Sequence, residues 1–276
     1  MRALSVSSGR MGSCFRGNDR GKSIRALMSL LCLAASPANP NQAMLEQLRG
    51  YDQRVGNIGD WLAHGGAAHC SGSLVPLAGL RVHTLGQYGK AFREDAHALF
   101  GLGDYPAILA LTNDGPAATA GLAVGDAIIS VNGADMRAGE GYAGVARLDD
   151  ALEAALAHPP ATLVAEHQGV RRTVMLTGFQ GCASRIELVP GKKLNAAADG
   201  RIVQLTTAVL EQAANDDELA FIIAHEMAHN ILKHRERLDR EGRSAANIRA
   251  TEVEADLLAL KIMHAAGYDP MAAARF

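Results

Sequence analysis

The sequence predicts an α+β protein in which a β-rich module is inserted ahead of a mainly helical domain with a small sheet. Three observations predict it. Short apolar runs separated by glycine turns fill the stretch from Ala107 to Leu176. Apolar residues recur at three- and four-residue steps over two long stretches after Asn215. A third helical pattern precedes the β-rich stretch, so helical pieces flank it on both sides. The chain has 276 residues, 48% of them hydrophobic and 20% charged, enough for two ordinary cores. A formal net charge of −2 argues against a nucleic-acid surface.

The first 38 residues read as a leader. Arg16, Arg20, Lys22 and Arg25 precede an apolar run, Ala26–Ala35, and the small residues Ser36 and Ala38 follow it. That is the layout of a signal peptide cleaved after Ala38. The run is too short to span a membrane, so no stable span is expected once the leader is removed. Met11 or Met28 are alternative starts within it. The expectation is an exported protein. Its removal leaves two cysteines, Cys70 and Cys182. They form either a disulfide, which an exported chain favours, or two buried thiols.

Residues 39–95 begin with an amphipathic helix, apolar at Leu45, Leu48, Tyr51, Val55, Ile58 and Leu62. Signals from Ser71 to Phe100 are mixed, and no element is assigned there. Residues 96–178 form the inserted module. An apolar run at Ile108–Leu111 meets the turn "NDGP", then a small-residue helical turn, a Gly125-Asp126 turn and a second run, "AIISVNG". A helix with Leu148, Leu152 and Leu156 on one face stops at Pro159-Pro160. "ATLVAEHQGVRRTVML" is two strands around Gly169.

Residues 179–276 hold the second helical region. "GRIVQLTT" is a strand. Asn215 caps a helix with Glu218 three residues on, as in a capping box. That helix is expected to run to about Leu238, and a second from about Ile248 to Ala266, closed by Gly267. Asp269 and Pro270 open a further helix with six residues after Pro270, too short to hold itself, so the sequence as given is expected to lack a C-terminal helix.

The chemistry lies in "HEMAH", His225 to His229. Histidines four apart share a helical face and reach one metal ion. Glu226, turned about 100° from His225, can lean over the metal's open position and take a proton from water. Zinc needs a third protein ligand. A third histidine six residues past His229 is excluded, because Arg235 stands there. His234 falls about 140° off the face of His229 and is expected at the surface. On the next helix Glu252 and Asp256 share a face. Glu252 suits a ligand, and Asp256 suits a carboxylate that accepts a hydrogen bond from a ligand histidine. The alternative is an acidic surface stripe, and Glu254 is expected to be solvated.

Two stretches carry resemblances. "DGPAATAGLAVGDAIISVNG" resembles the PDZ domains associated with bacterial proteases. That implies a PDZ-like β-barrel or sandwich module, with a peptide-carboxylate loop near Phe100–Tyr105 and a structural role for Gly125 and Asp126. "NAAADGRIVQLTTAVLEQAANDDELAFIIAHEMAHNILKH" followed by "EVEAD" resembles the zinc peptidases related to the CAAX prenyl protease and the heat-shock protease HtpX. That resemblance implies a zincin-type domain with one Zn2+ per chain, held by His225, His229 and Glu252. Glu226 is then the base, Asp256 supports the site, and Asn195 and Ala196 lie on a strand that pairs with extended substrate. It implies an endopeptidase of the periplasm or bacterial envelope acting on unfolded or C-terminal polypeptide segments, with no nucleic-acid partner. The rival is a zinc-binding, chaperone-like or peptide-binding protein that cleaves little.

Overall fold

A computed structural model describes residues 39–70 and 74–275. The leader expected over residues 1–38 lies outside the described residues. Among those residues no helix is long and apolar enough to cross a membrane.

Helix α1 (Pro40–Gly65) starts where Asn39 accepts a hydrogen bond from the Asn41 amide at 3.0 Å, with Pro40 in the first turn. Its buried stripe, Leu45, Val55, Ile58 and Leu62, follows the three- and four-residue spacing of the sequence. Gly59 has a packing reason: a Cβ there would stand 2.5 Å from Ile186. A 3-10 turn then leads to Cys70.

Among its described residues the stretch without an assignment holds β1 (Leu74–Leu77), β2 (Leu80–His83), a 3-10 turn (Leu85–Gln87) and α2 (Arg93–Phe100). Strands of four residues are too short to show an alternating pattern. After them come β3 (Ala107–Leu111), a helical turn α3 (Pro116–Thr119), β4 (Ala127–Val131), β5 (Ala134–Asp135), α4 (Ala143–Leu156), β6 (Ala161–His167) and β7 (Val170–Leu176).

These strands form an open antiparallel sheet in the order β2-β3-β4-β6-β7, with β5 on β4. The expected barrel or sandwich is corrected: β2 and β7 end the sheet and do not pair with each other. Helices complete the core where a barrel would close on itself. Leu148, Leu152 and Leu156 of α4 pack into one cluster with Ile108, Ile128 and Leu163 of the strands. Gln53 of α1 meets β3 like a strand neighbour: its amide donates to the Leu111 carbonyl at 2.5 Å and accepts from the Leu111 amide at 3.1 Å. The 6–7 hairpin turns at Gln168 and Gly169, both at positive φ (49° and 80°), the geometry that follows the strand twist.

The chain continues through β8 (Phe179–Cys182), β9 (Arg185–Val189), β10 (Ala196–Ala198) and β11 (Ile202–Thr206). Strand β8 pairs antiparallel with β1. A disulfide joins Cys70 to Cys182, their Cα atoms 5.5 Å apart. Strand β11 lies between β9, which is parallel to it, and β10, which is antiparallel and forms the sheet edge.

Four helices follow: α5 (Thr207–Gln212), α6 (Asp216–Ile231), α7 (His234–Glu241) and α8 (Ala245–Ala265). Asn215 caps α6 by accepting from the Glu218 amide at 3.0 Å. The Glu218 carboxylate reaches back to the Ala214 amide, one residue beyond the usual box. Ala220, Ala224 and Ala228 on α6, and Ala255 and Ala259 on α8, are fully buried. Small side chains four residues apart let the two helices pack closely. The single helix expected to Leu238 is two helices. Lys233 adopts a left-handed backbone (φ 52°), which ends one helix and restarts the chain as α7.

Candidate metal centre

Helix α6 presents His225, Glu226 and His229, and α8 presents Glu252 and Asp256. The Nε2 atoms of His225 and His229 lie 3.1 Å apart. Glu252 Oε2 is 3.3 Å from His225 Nε2 and 3.7 Å from His229 Nε2. Donors about 2.0–2.2 Å from a tetrahedral zinc ion stand about 3.3–3.6 Å from one another. The observed triangle matches that spacing to a few tenths of an ångström, so these three residues fit a zinc ion. Two neutral imidazoles and one carboxylate also make a donor set that suits zinc.

Each ring has its second nitrogen engaged. His225 Nδ1 is 2.9 Å from Asp256 Oδ1, the partner the helical spacing predicts. His229 Nδ1 is 2.9 Å from Nδ1 of His234. His234 is 1% exposed, and its Nε2 lies 3.2 Å from Glu254 Oε2. Arg237 donates two bonds to Glu254, at 2.7 and 3.3 Å. The surface position expected for His234 is therefore corrected, while Glu254, with 44% of its side chain exposed, stays at the solvent edge as expected and holds His234 from there. The break at Lys233 swings the start of α7 back toward α6, so counting 100° per residue from His229 gives the wrong face.

Burial and the charge of His225 hold the His229 imidazolium down to about 4, so the ring is neutral near pH 7. Burial also lowers His234, against the pull of Glu254. Glu226 is shifted the other way. Burial raises its carboxyl above the ordinary value, while His225 and the Ala198 amide oppose the shift and Glu252 adds to it. A raised carboxyl is a better proton acceptor, as a general base requires.

The site opens on a cleft of about 430 Å³ bounded by β10, α6, Glu252 and the α7 residues His234, Arg235 and Leu238. A smaller hollow of about 280 Å³ near Arg93 and Arg137 contains none of these groups. Ala196 lines the cleft from the edge strand. Asn195 sits just outside it, its carbonyl accepting from the Thr206 amide at 3.0 Å. One further residue had no assigned role. Asn230, 5% exposed, accepts from the Gly200 amide at 2.6 Å and donates to Ser184 at 2.9 Å. It ties α6 to the turn between β10 and β11 and so fixes the edge strand relative to the histidines. Its signal was a polar residue on an otherwise apolar helix, and such a residue needs a partner when buried.

Residues 167–245 match the profile of Peptidase family M48. The match covers β7 to the start of α8, including His225, Glu226 and His229, and ends before Glu252. No curated protein matches the chain. Among solved structures the chain is similar to an HtrA-type protease, AlgW, with a decapeptide, at 18% identity and a TM-score of 0.29. The similarity covers 39% of this chain and 30% of that one, so the chain spans under a third of that protease's length.

Proposed function

We propose that the chain is a zinc-dependent endopeptidase of the glutamate-zincin type, similar to the CAAX prenyl protease and HtpX group. One observation carries this: a three-donor triangle of the right size stands beside a half-buried glutamate and an edge strand, all on one cleft. The M48 match over residues 167–245 supports metal-dependent proteolysis. When bound, zinc supplies a Lewis acid that makes water acidic and polarises a carbonyl.

The chain's own groups do the rest. Strand β10 offers its free edge to an extended polypeptide, whose backbone adds as a further strand. Ala196 and Ala198 leave room for it. Glu226 takes the proton of the attacking water and returns it to the leaving amine nitrogen, which frees the new amino terminus. His225, His229 and Glu252 hold the ion, and Asp256 orients His225 through Nδ1.

The Cys70–Cys182 disulfide and the leader-like first residues support a place in the bacterial envelope. The sheet module, PDZ-like in its "AGLAVGD" segment, is the proposed selector of unfolded or C-terminal segments. The decisive experiment compares the wild type with Glu226→Gln for zinc content and for cleavage of an unfolded protein. Equal zinc, with cleavage at least about a hundredfold slower in the variant, is expected. Bound zinc with equal, negligible cleavage in both would leave a zinc-binding, chaperone-like protein instead.

A further inference from the structure

We infer that His234 is a positioning residue that, with Glu254 behind it, fixes the tautomer of His229 and so aims its Nε2 lone pair at the metal. The inference rests on the proposed zinc site. Glu254 is held by two hydrogen bonds from Arg237 and can only accept from His234. At 3.2 Å, His234 Nε2 must therefore carry the proton. In a neutral ring the other nitrogen, Nδ1, is then a bare lone pair. That lone pair faces His229 Nδ1 at 2.9 Å, so His229 must donate from Nδ1. Its Nε2 is left unprotonated, 3.1 Å from His225 Nε2 and 3.7 Å from Glu252 Oε2. Every link has one donor and one acceptor, and the order reverses nowhere.

Burial makes the arrangement specific. His234 is 1% exposed, so water does not stand in for it. The two motif histidines are therefore supported by different means. His225 leans directly on a carboxylate, whereas His229 leans on one through a second imidazole. The left-handed turn at Lys233 is what brings that imidazole within reach.

The test measures zinc affinity by competition with a chelator, using zinc alone as the probe. It compares the wild type with His234→Phe and His234→Asn and records the unfolding midpoint of each metal-free chain. Phenylalanine removes the acceptor, and zinc binding should weaken about 10- to 100-fold. The asparagine amide oxygen sits where Nδ1 was and should restore most of that loss. The two metal-free variants should unfold at similar midpoints, because both lose the bond to Glu254. Zinc binding by His234→Phe within twofold of the wild type would overturn the inference alone. So would His234→Asn losing as much affinity as His234→Phe. A wild-type chain that binds no zinc would overturn the proposed function and the inference with it.

Discussion

Two clusters in this molecule join a carboxylate, a histidine and an arginine, and they end differently. In the sheet module Asp126 is the hub and is fully buried. It accepts from the Ala123 amide at 2.8 Å, from His167 at 2.9 Å and from Arg172. These three bonds converge on it, and a further side-chain bond, from Arg172 to the Gly121 carbonyl at 3.1 Å, stays within the module. At the candidate metal centre the buried hub is a histidine, His234, while its carboxylate, Glu254, is 44% exposed. One bond leaves that cluster, toward His229. Similar side chains thus make a clasp in one place and a relay in the other. The difference lies in which member is buried and whether a hydrogen-bonding end is left over.

The largest effect should come from breaking the clasp. Asp126→Ala leaves the Ala123 amide, the Arg172 guanidinium and the His167 ring without the carboxylate they share. Removing one partner of a buried, hydrogen-bonded pair costs about 3–5 kcal/mol. Because Arg172 and His167 are partly exposed, about 3 kcal/mol is expected here. Urea unfolding measures it. Zinc affinity should stay at the wild-type value, since the clasp touches nothing at the site. A parallel loss of zinc affinity in the folded variant would show that the two clusters are not independent.

A third histidine sharpens the contrast because its hydrogen bond goes to no carboxylate. His83 is 4% exposed and its Nδ1 meets the Tyr88 hydroxyl at 2.8 Å. Burial, helped by Arg49, lowers its pKa to about 4. The folded chain thus keeps it neutral where the unfolded chain protonates it below about 6.5. Its contribution is full above that value and is lost as pH falls toward 4. Between pH 7 and pH 5 the loss is about 2 kcal/mol. Unfolding at both pH values, in the wild type and in His83→Gln, should show a pH difference smaller by that amount in the variant. An unchanged difference would mean that His83 is not held neutral.

Much of the candidate metal centre was legible in the sequence because helical spacing converts directly into faces. His225 and His229 share one, and Glu252 and Asp256 share another, and the close packing of α6 on α8 brings the two together. Asn215 was legible as a cap for the same local reason. What failed was what depended on where α6 stops, whereas the ends of α4 before Pro159 and of α8 before Gly267 fall where proline and glycine mark them. His234 was counted along a helix that ends at Ile231, and a lysine in a left-handed turn leaves no glycine to mark the break. The edges of the sheet failed for another reason. Strand β2 is four residues long and owes its place to β3 and α1, contacts that no short window of sequence contains. The open sheet follows from that strand, since a barrel would need it to meet β7.

The smallest effect is the most discriminating. Glu254 and Arg237 are partly exposed, so their ion pair should add under about 1 kcal/mol to stability. A purely structural account of the cluster therefore predicts almost nothing for Glu254→Gln. The relay predicts more at the metal than in the fold. The glutamine carbonyl still accepts from His234 Nε2, so the tautomer order survives, but the negative charge that makes His234 Nδ1 a strong acceptor is gone. A weaker acceptor holds the His229 Nδ1 proton less firmly, and the Nε2 lone pair becomes a poorer donor to zinc. Zinc affinity should fall a few-fold, less than the 10- to 100-fold expected when the acceptor is deleted. The unfolding free energy of the metal-free chain should change by less than about 1 kcal/mol. If affinity and stability both stay at the wild-type values, His234 alone orients His229 and the carboxylate behind it does nothing for the metal.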